Sequence, residues 1–97
     1  MEEAVKILVV DDDEVDRMAV RRALVTAGVK MDLSEANGCA EAITQLQQQQ
    51  FDCVFLDYRL PDGDGLSLVQ QIRSLGFTVP LVVLTGQGDE QIAVQLM

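Results

Sequence analysis

The residues best equipped for chemistry in this chain are carboxylates: Asp11, Asp12 and Asp13 in succession, then Asp57, each group following an apolar run, Ile7 to Val10 and Val54 to Leu56. Buried strands that finish in acids deliver carboxylates to one edge of a sheet. Neighbouring parallel strands are roughly 5 Å apart, so Asp11, Asp12 and Asp57 would crowd into one shallow cleft if their strands are adjacent. At an effective dielectric of about 20, two charges about 5 Å apart repel by on the order of 3 kcal/mol. Water and partial protonation are one relief; a hard divalent cation is the other, and oxygen-only ligands suit Mg²⁺ better than zinc or copper. A carboxylate held on Mg²⁺ is also positioned to attack a phosphoryl group, because the metal offsets the repulsion between two anions. Thr85, closing the apolar run Leu81 to Leu84, brings a hydroxyl to the same edge, where Gly86 and Gly88 let the backbone come close.

These residues need elements to hold them. Val5 to Val10 reads as a first strand, and Asp13 caps a helix from Glu14 to Ala27 with apolar positions Val15, Met18, Ala19, Ala23 and Ala27, ended by Gly28. Met31 to Ala36 is a weaker strand near an edge. Asn37 caps a helix from Gly38 to Gln49 with Cys39, Ala40, Ile43 and Leu46 inward, and the Gln47 to Gln50 run is its solvated end. Val54, Phe55 and Leu56 form a strand covered on both faces, and Pro61, Gly63 and Gly65 keep the following loop open to whatever Asp57 holds. Leu66 to Leu75 is a helix with Leu68, Val69, Ile72 and Leu75 inward, stopped by Gly76. Asp89 caps a last helix that runs to Met97. Asp16, Asp62 and Asp64 serve as first-turn charge, turn and cap.

Strand and helix alternate throughout, which predicts an α/β fold: an open, doubly wound parallel sheet. In the order 2-1-3-4 the topological switch point falls between the first and third strands, the two that end in acids.

Composition narrows the function. The chain has 97 residues, 48 % of them hydrophobic, enough for one domain with a core. A formal charge of -9 and no histidine argue against nucleic acid or an anionic membrane as a partner and for cations or basic surfaces. Cys39 and Cys53 lack metal-ligand spacing and read as reduced core residues of a cytoplasmic protein. No signal peptide or membrane span is apparent.

Taken together, Asp11-Asp12 after the first strand, the segment Asp57-Tyr58-Arg59-Leu60-Pro61 with Gly65 eight positions after Asp57, and Leu84-Thr85-Gly86 resemble the receiver domain of two-component response regulators and hybrid histidine kinases. The resemblance covers residues 1–97. It implies a signalling module, not an enzyme in the ordinary sense, that takes a phosphoryl group onto Asp57 from a histidine kinase or phosphotransfer protein. It also implies Mg²⁺ bound by Asp12, Asp57 and the Arg59 backbone carbonyl, with Asp11 acting through water. By the same resemblance Thr85 and Gly86 would form the phosphoryl-contact switch, and Gln87 would tune phosphoryl lifetime. An output or kinase domain is expected beyond the C-terminus.

The chain departs from that family in ending within its fourth helix, without the fifth strand, its lysine, or the fifth helix; Lys6 and Lys30 are not placed to substitute. The strand Leu81 to Leu84 is then expected to be an unpaired apolar edge that invites a dimer or segment exchange. A receiver-like interaction module that is not phosphorylated is the alternative. A flavodoxin-like binder is disfavoured by three acids where a phosphate loop belongs, and a dehalogenase-type phosphatase by Arg59, which stands where a second Asp is required.

Overall fold

A computed structural model of the protein describes residues 4–85 and 91–94. In chain order the elements are β1 (Val5–Val10), α1 (Glu14–Thr26), β2 (Met31–Ala36), α2 (Cys39–Gln48), β3 (Cys53–Asp57), the short β4 (Arg59–Leu60) and β5 (Gly63–Asp64), α3 (Gly65–Ser74), β6 (Leu81–Thr85) and β7 (Gln91–Val94). The main sheet runs β2-β1-β3-β6-β7, while β4 and β5 form a separate antiparallel hairpin. Its four parallel strands have the expected 2-1-3-4 order, with β6 as the fourth, and β2 lies at the edge. Val10 pairs with Leu56, and Asp57 with Leu84, so the β1, β3 and β6 termini open on the same side of the sheet.

Successive strand residues alternate between the two faces of the sheet. Leu8, Val10, Val54, Leu56, Leu81 and Val83 pack with Ala42 and Leu46 of α2 and Leu68, Val69 and Ile72 of α3 in one core cluster. Ile7 and Val9 are buried on the opposite face, but Phe55 and Val82 are only half-buried. The third strand is therefore fully covered on one side and partly on the other.

Several helix faces differ from expectation. Along α1 the half-buried positions are Arg17, Val20 and Leu24, whereas Val15 is 72 % and Met18 48 % exposed. Both sets have helical spacing, and the one containing Arg17 turns inward because that arginine has polar partners beneath the helix. In α2, Ala42 takes the inward place expected of Ala40. Leu75 sits at the C-cap of α3 and is exposed. Gly28 and Gly76 follow the α1 and α3 caps, as anticipated, and Gln47 to Gln50 is exposed.

The helix expected from Asp89 is not what residues 91–94 form, and the expected bare edge on β6 is covered. Gln91–Val94 pairs antiparallel with β6, Thr85 opposite Gln91 and Val82 opposite Val94. Ile92 and Val94 are β-branched at alternate positions, and the edge groups of β6 gain ladder partners. A dimer built on an open β6 edge loses its basis. Asp89 lies outside the described residues, as do Gly86, Gln87 and Gly88.

Candidate functional site

Asp11 directly follows β1 and Asp57 ends β3, so the parallel pairing of those strands sets the two side by side. Asp12 is the next residue along the turn. Oxygens of these three carboxylates all lie within 4.8 Å of one another. The sequence-derived trio is thus one cluster, with Asp11 only 4 % exposed, Asp57 half-buried and Asp12 exposed.

Main-chain bonds fix the frame. The Asp11 amide donates to the Ala36 carbonyl at the end of β2 (2.9 Å), and Asp11 Oδ1 accepts from the Asp13 amide at 2.9 Å. Beyond Asp57, the Tyr58 amide donates to Leu84 O (2.9 Å), and the Gly65 amide to Tyr58 O (2.6 Å). A Cβ on Gly65 would stand 2.7 Å from the Asp57 carbonyl oxygen and 3.1 Å from Tyr58 Cα. Gly65 thus admits the close return of the chain onto the Asp57 peptide, not an approach to a ligand.

Burial sets the electrostatics. It pushes the Asp11 carboxyl up to about 6; the Asp13 amide partly offsets this, and the charges of Asp57, Asp16 and Asp12 add to it. Asp57 is raised for the same leading reason, with the Arg59 and Tyr58 amides opposing and the Asp16 and Asp12 charges reinforcing. Asp16 therefore contributes to the field of the cleft as well as to the first turn of α1.

The remaining acids have structural partners. Asp13 caps α1 by accepting from the Val15 amide (2.9 Å), and Asp64 caps α3 through the Ser67 amide (2.7 Å). Asn37 does not cap α2 with its side chain. That role falls to Asp62, whose two oxygens accept from the Cys39 amide (2.8 Å) and the Ala40 amide (3.1 Å), while Glu41 reaches back to the Asn37 amide at 2.9 Å. Those amides hold the Asp62 carboxyl below its ordinary range.

Thr85 ends β6 one residue beyond the partner of Asp57, so its backbone reaches the acidic end of the sheet. Arg59 opens the β4–β5 hairpin and is exposed. Lys6 lies within β1 and Lys30 just before β2, both toward the opposite ends of the strands. Cys39 and Cys53 are free, the first in the core, and burial raises both thiols above their ordinary value, Cys39 to about 11.

One basic residue close to the acids was not singled out by sequence. Arg17 donates through Nε to Glu35 Oε1 at 3.0 Å, and through Nη1 to Asn37 Oδ1 at 3.0 Å and to the Asp11 carbonyl. No local signal marks it, since its acceptors lie up to 20 residues away.

The donor set of the cleft, three carboxylates crowded together with one buried, suits a hard, oxygen-seeking cation such as Mg²⁺.

The sequence and the fold are both similar to those of known proteins. The sequence pattern of the response regulator receiver domain matches residues 7–97. Response regulator MprA of Mycobacterium bovis (strain BCG / Pasteur 1173P2) is 38 % identical over 84 residues, covering 87 % of this chain and 36 % of that protein. MprA of Mycobacterium leprae (strain TN) is 38 % identical over 82 residues, covering 84 % of this chain and 35 % of the relative. The chain thus spans about a third of the length of these relatives. Among solved structures, the MaeR response regulator bound to beryllium trifluoride superposes with a TM-score of 0.78 at 28 % identity, covering 88 % of this chain and 70 % of that one. A response regulator receiver protein from Pseudomonas putida gives 0.76 at 30 % identity, covering 92 % and 74 %. With the CheY-like strand order, the acid cluster at the switch point and these matches in agreement, the chain belongs to the response regulator receiver domain family of two-component signalling.

Proposed function

We propose that this chain is a phosphoaccepting receiver in which Asp57 takes a phosphoryl group from a phosphohistidine of a histidine kinase or phosphotransfer protein. The observation that carries the proposal is the convergence of Asp11, Asp12 and Asp57 at the adjacent ends of β1 and β3. Asp57 is the acceptor because it ends the central strand, its peptide pinned between β6 and Gly65, leaving its carboxylate half-exposed to an incoming donor. Asp12, Asp57 and the Arg59 carbonyl would hold Mg²⁺, with Asp11 bound through water. When bound, the cation supplies charge neutralisation for two anions brought together and for the transferring oxygens.

In the transfer, an Asp57 carboxylate oxygen forms a bond to phosphorus as the phosphorus–nitrogen bond to the donor imidazole breaks. The electron pair stays on that nitrogen, and the histidine leaves neutral, taking a solvent proton where its protonation requires one. Hydrolysis later returns Asp57 to the carboxylate. The chain is thus the recipient of the group and supplies the side chains for its own modification. Thr85 and Gly86 serve as the phosphoryl-contact switch, and Gln87 as the residue governing water access. The signal passes to an output or kinase domain in a cytoplasmic pathway.

Incubation of the chain with Mg²⁺ and acetyl phosphate, followed by intact-mass measurement, tests this. A mass gain of one phosphoryl group, lost in Asp57→Asn and labile to hydroxylamine, is expected. The position of Lys6 and Lys30 away from the acids favours a second reading, an interaction module that is never phosphorylated; unmodified mass with every small phosphodonor would select it.

A further inference from the structure

We infer that Arg17 is a positioning residue for the metal-binding acids, orienting the peptide that joins Asp11 to Asp12 so that both carboxylates converge on Asp57. The inference rests on the proposed function.

The side chain of Arg17 is only 12 % exposed beneath α1. Its Nη1 donates to the Asp11 carbonyl, while the Asp11 amide is already held by Ala36 O at 2.9 Å. The residue is therefore gripped from both sides, by β2 through its amide and by Arg17 through its carbonyl. That carbonyl shares a rigid plane with the Asp12 amide. Turning it would swing the Asp12 Cα, and with it the Asp12 carboxylate, away from the cleft.

The guanidinium is itself anchored. Nε meets Glu35 Oε1 at 3.0 Å and Nη1 meets Asn37 Oδ1 at 3.0 Å, so three acceptors on β2, the β2 exit and the β1 exit define its plane. The Glu35 carbonyl accepts from Gln45 Nε2 at 2.7 Å, which braces this platform against α2. A lysine carries the same charge but lacks the planar fork that serves several acceptors in fixed directions. Arg21 provides an internal control: its Nη2 lies 3.5 Å from Glu35 Oε2, on the same helix and the same carboxylate, and it is 53 % exposed.

The test titrates Mg²⁺ into the full chain while following Tyr58, the single tyrosine of a chain without tryptophan and the neighbour of Asp57. Thermal unfolding of each metal-free variant is recorded in parallel. Arg17→Lys and Arg17→Ala are expected to weaken Mg²⁺ binding by about tenfold or more, the range seen when partners behind metal ligands are removed. Arg21→Ala should stay within about twofold of wild type by the same criterion. A role confined to fastening α1 would lower Tm and leave Kd in place, so wild-type Kd in Arg17→Lys overturns the inference whatever happens to Tm. Equal weakening in Arg21→Ala overturns it too, by assigning the effect to charge. If Arg17→Ala does not fold, Arg17→Lys decides. Wild type without any Mg²⁺ response would sink the proposed function and this inference with it; a normal wild-type response sinks only the inference if Arg17→Lys is unaffected.

Discussion

Asp11 is the one charged residue that is buried among the described residues, and its raised carboxyl reports the cost of ionising it there. A folded-state pKa above the unfolded value means that stability is full below the unfolded value and is lost as pH rises through the folded one. For Asp11 the window runs from 3.8 to about 6, and at 1.36 kcal/mol per unit the loss is about 3 kcal/mol. Asp57 is shifted in the same direction. Metal-free protein should therefore become less stable between about pH 4 and about pH 7, and Asp11→Asn should be more stable than wild type at neutral pH with much of that slope removed. Urea unfolding across this range checks both. Asp57→Asn should likewise stabilise the metal-free chain while abolishing acyl phosphate formation, separating the electrostatic strain of the cleft from its chemistry.

The segment from β3 to α3 owes its path to contacts at both ends of the loop. Gly65→Ala would drive a Cβ to 2.7 Å from the Asp57 carbonyl oxygen, against backbone that has little room to give. A loss of roughly 1–3 kcal/mol in denaturant unfolding is expected, with impaired Mg²⁺ binding because the Asp57 peptide must shift. Asp62→Ala removes the acceptor for the Cys39 and Ala40 amides and should cost about 1 kcal/mol, the usual worth of a helix N-cap. The Asp62 carboxyl is held low, so its contribution is present above the ordinary carboxylate range and disappears as pH falls through its folded pKa. Wild type and Asp62→Ala should therefore converge in stability on strong acidification. Parallel strands carry their terminal residues to a common edge, which is why the acid cluster could be read from the chain alone. The elements that escaped such reading were decided at a distance. Two interleaved helical spacings compete on α1, and acceptors on Glu35 and Asn37 select the one with Arg17 inside. Asn37 has the side chain of a cap, yet Asp62, more than 20 residues away, holds the α2 amides. Gln91–Val94 suits helix or strand, and pairing with β6 decides in favour of strand.

For the molecule as a whole, the charge of -9 is distributed so that part of it collects where two buried strands end. Occupation of the cleft by Mg²⁺ should raise the stability of the entire fold, by about 2.7 kcal/mol at a hundred times Kd. It should also flatten the acid response: the cation favours the ionised carboxylates and so lowers their folded pKa, and the stability that protons give the metal-free chain should shrink as Mg²⁺ is raised. Melting curves with Mg²⁺ and with a chelator, across the same pH range, test that flattening. The carboxylate of Asp62 also limits how this domain can be recombined. Gly38 adjoins it: an added Cβ would stand 2.7 Å from Asp62 Oδ1, so a side chain there would push the carboxylate off the Cys39 and Ala40 amides. A stretch such as 58–65 grafted from another receiver would therefore bring its own geometry only if it carried an acid at position 62 and met a glycine at 38. Chimeras designed by swapping that loop must exchange the start of α2 with it, as one cassette.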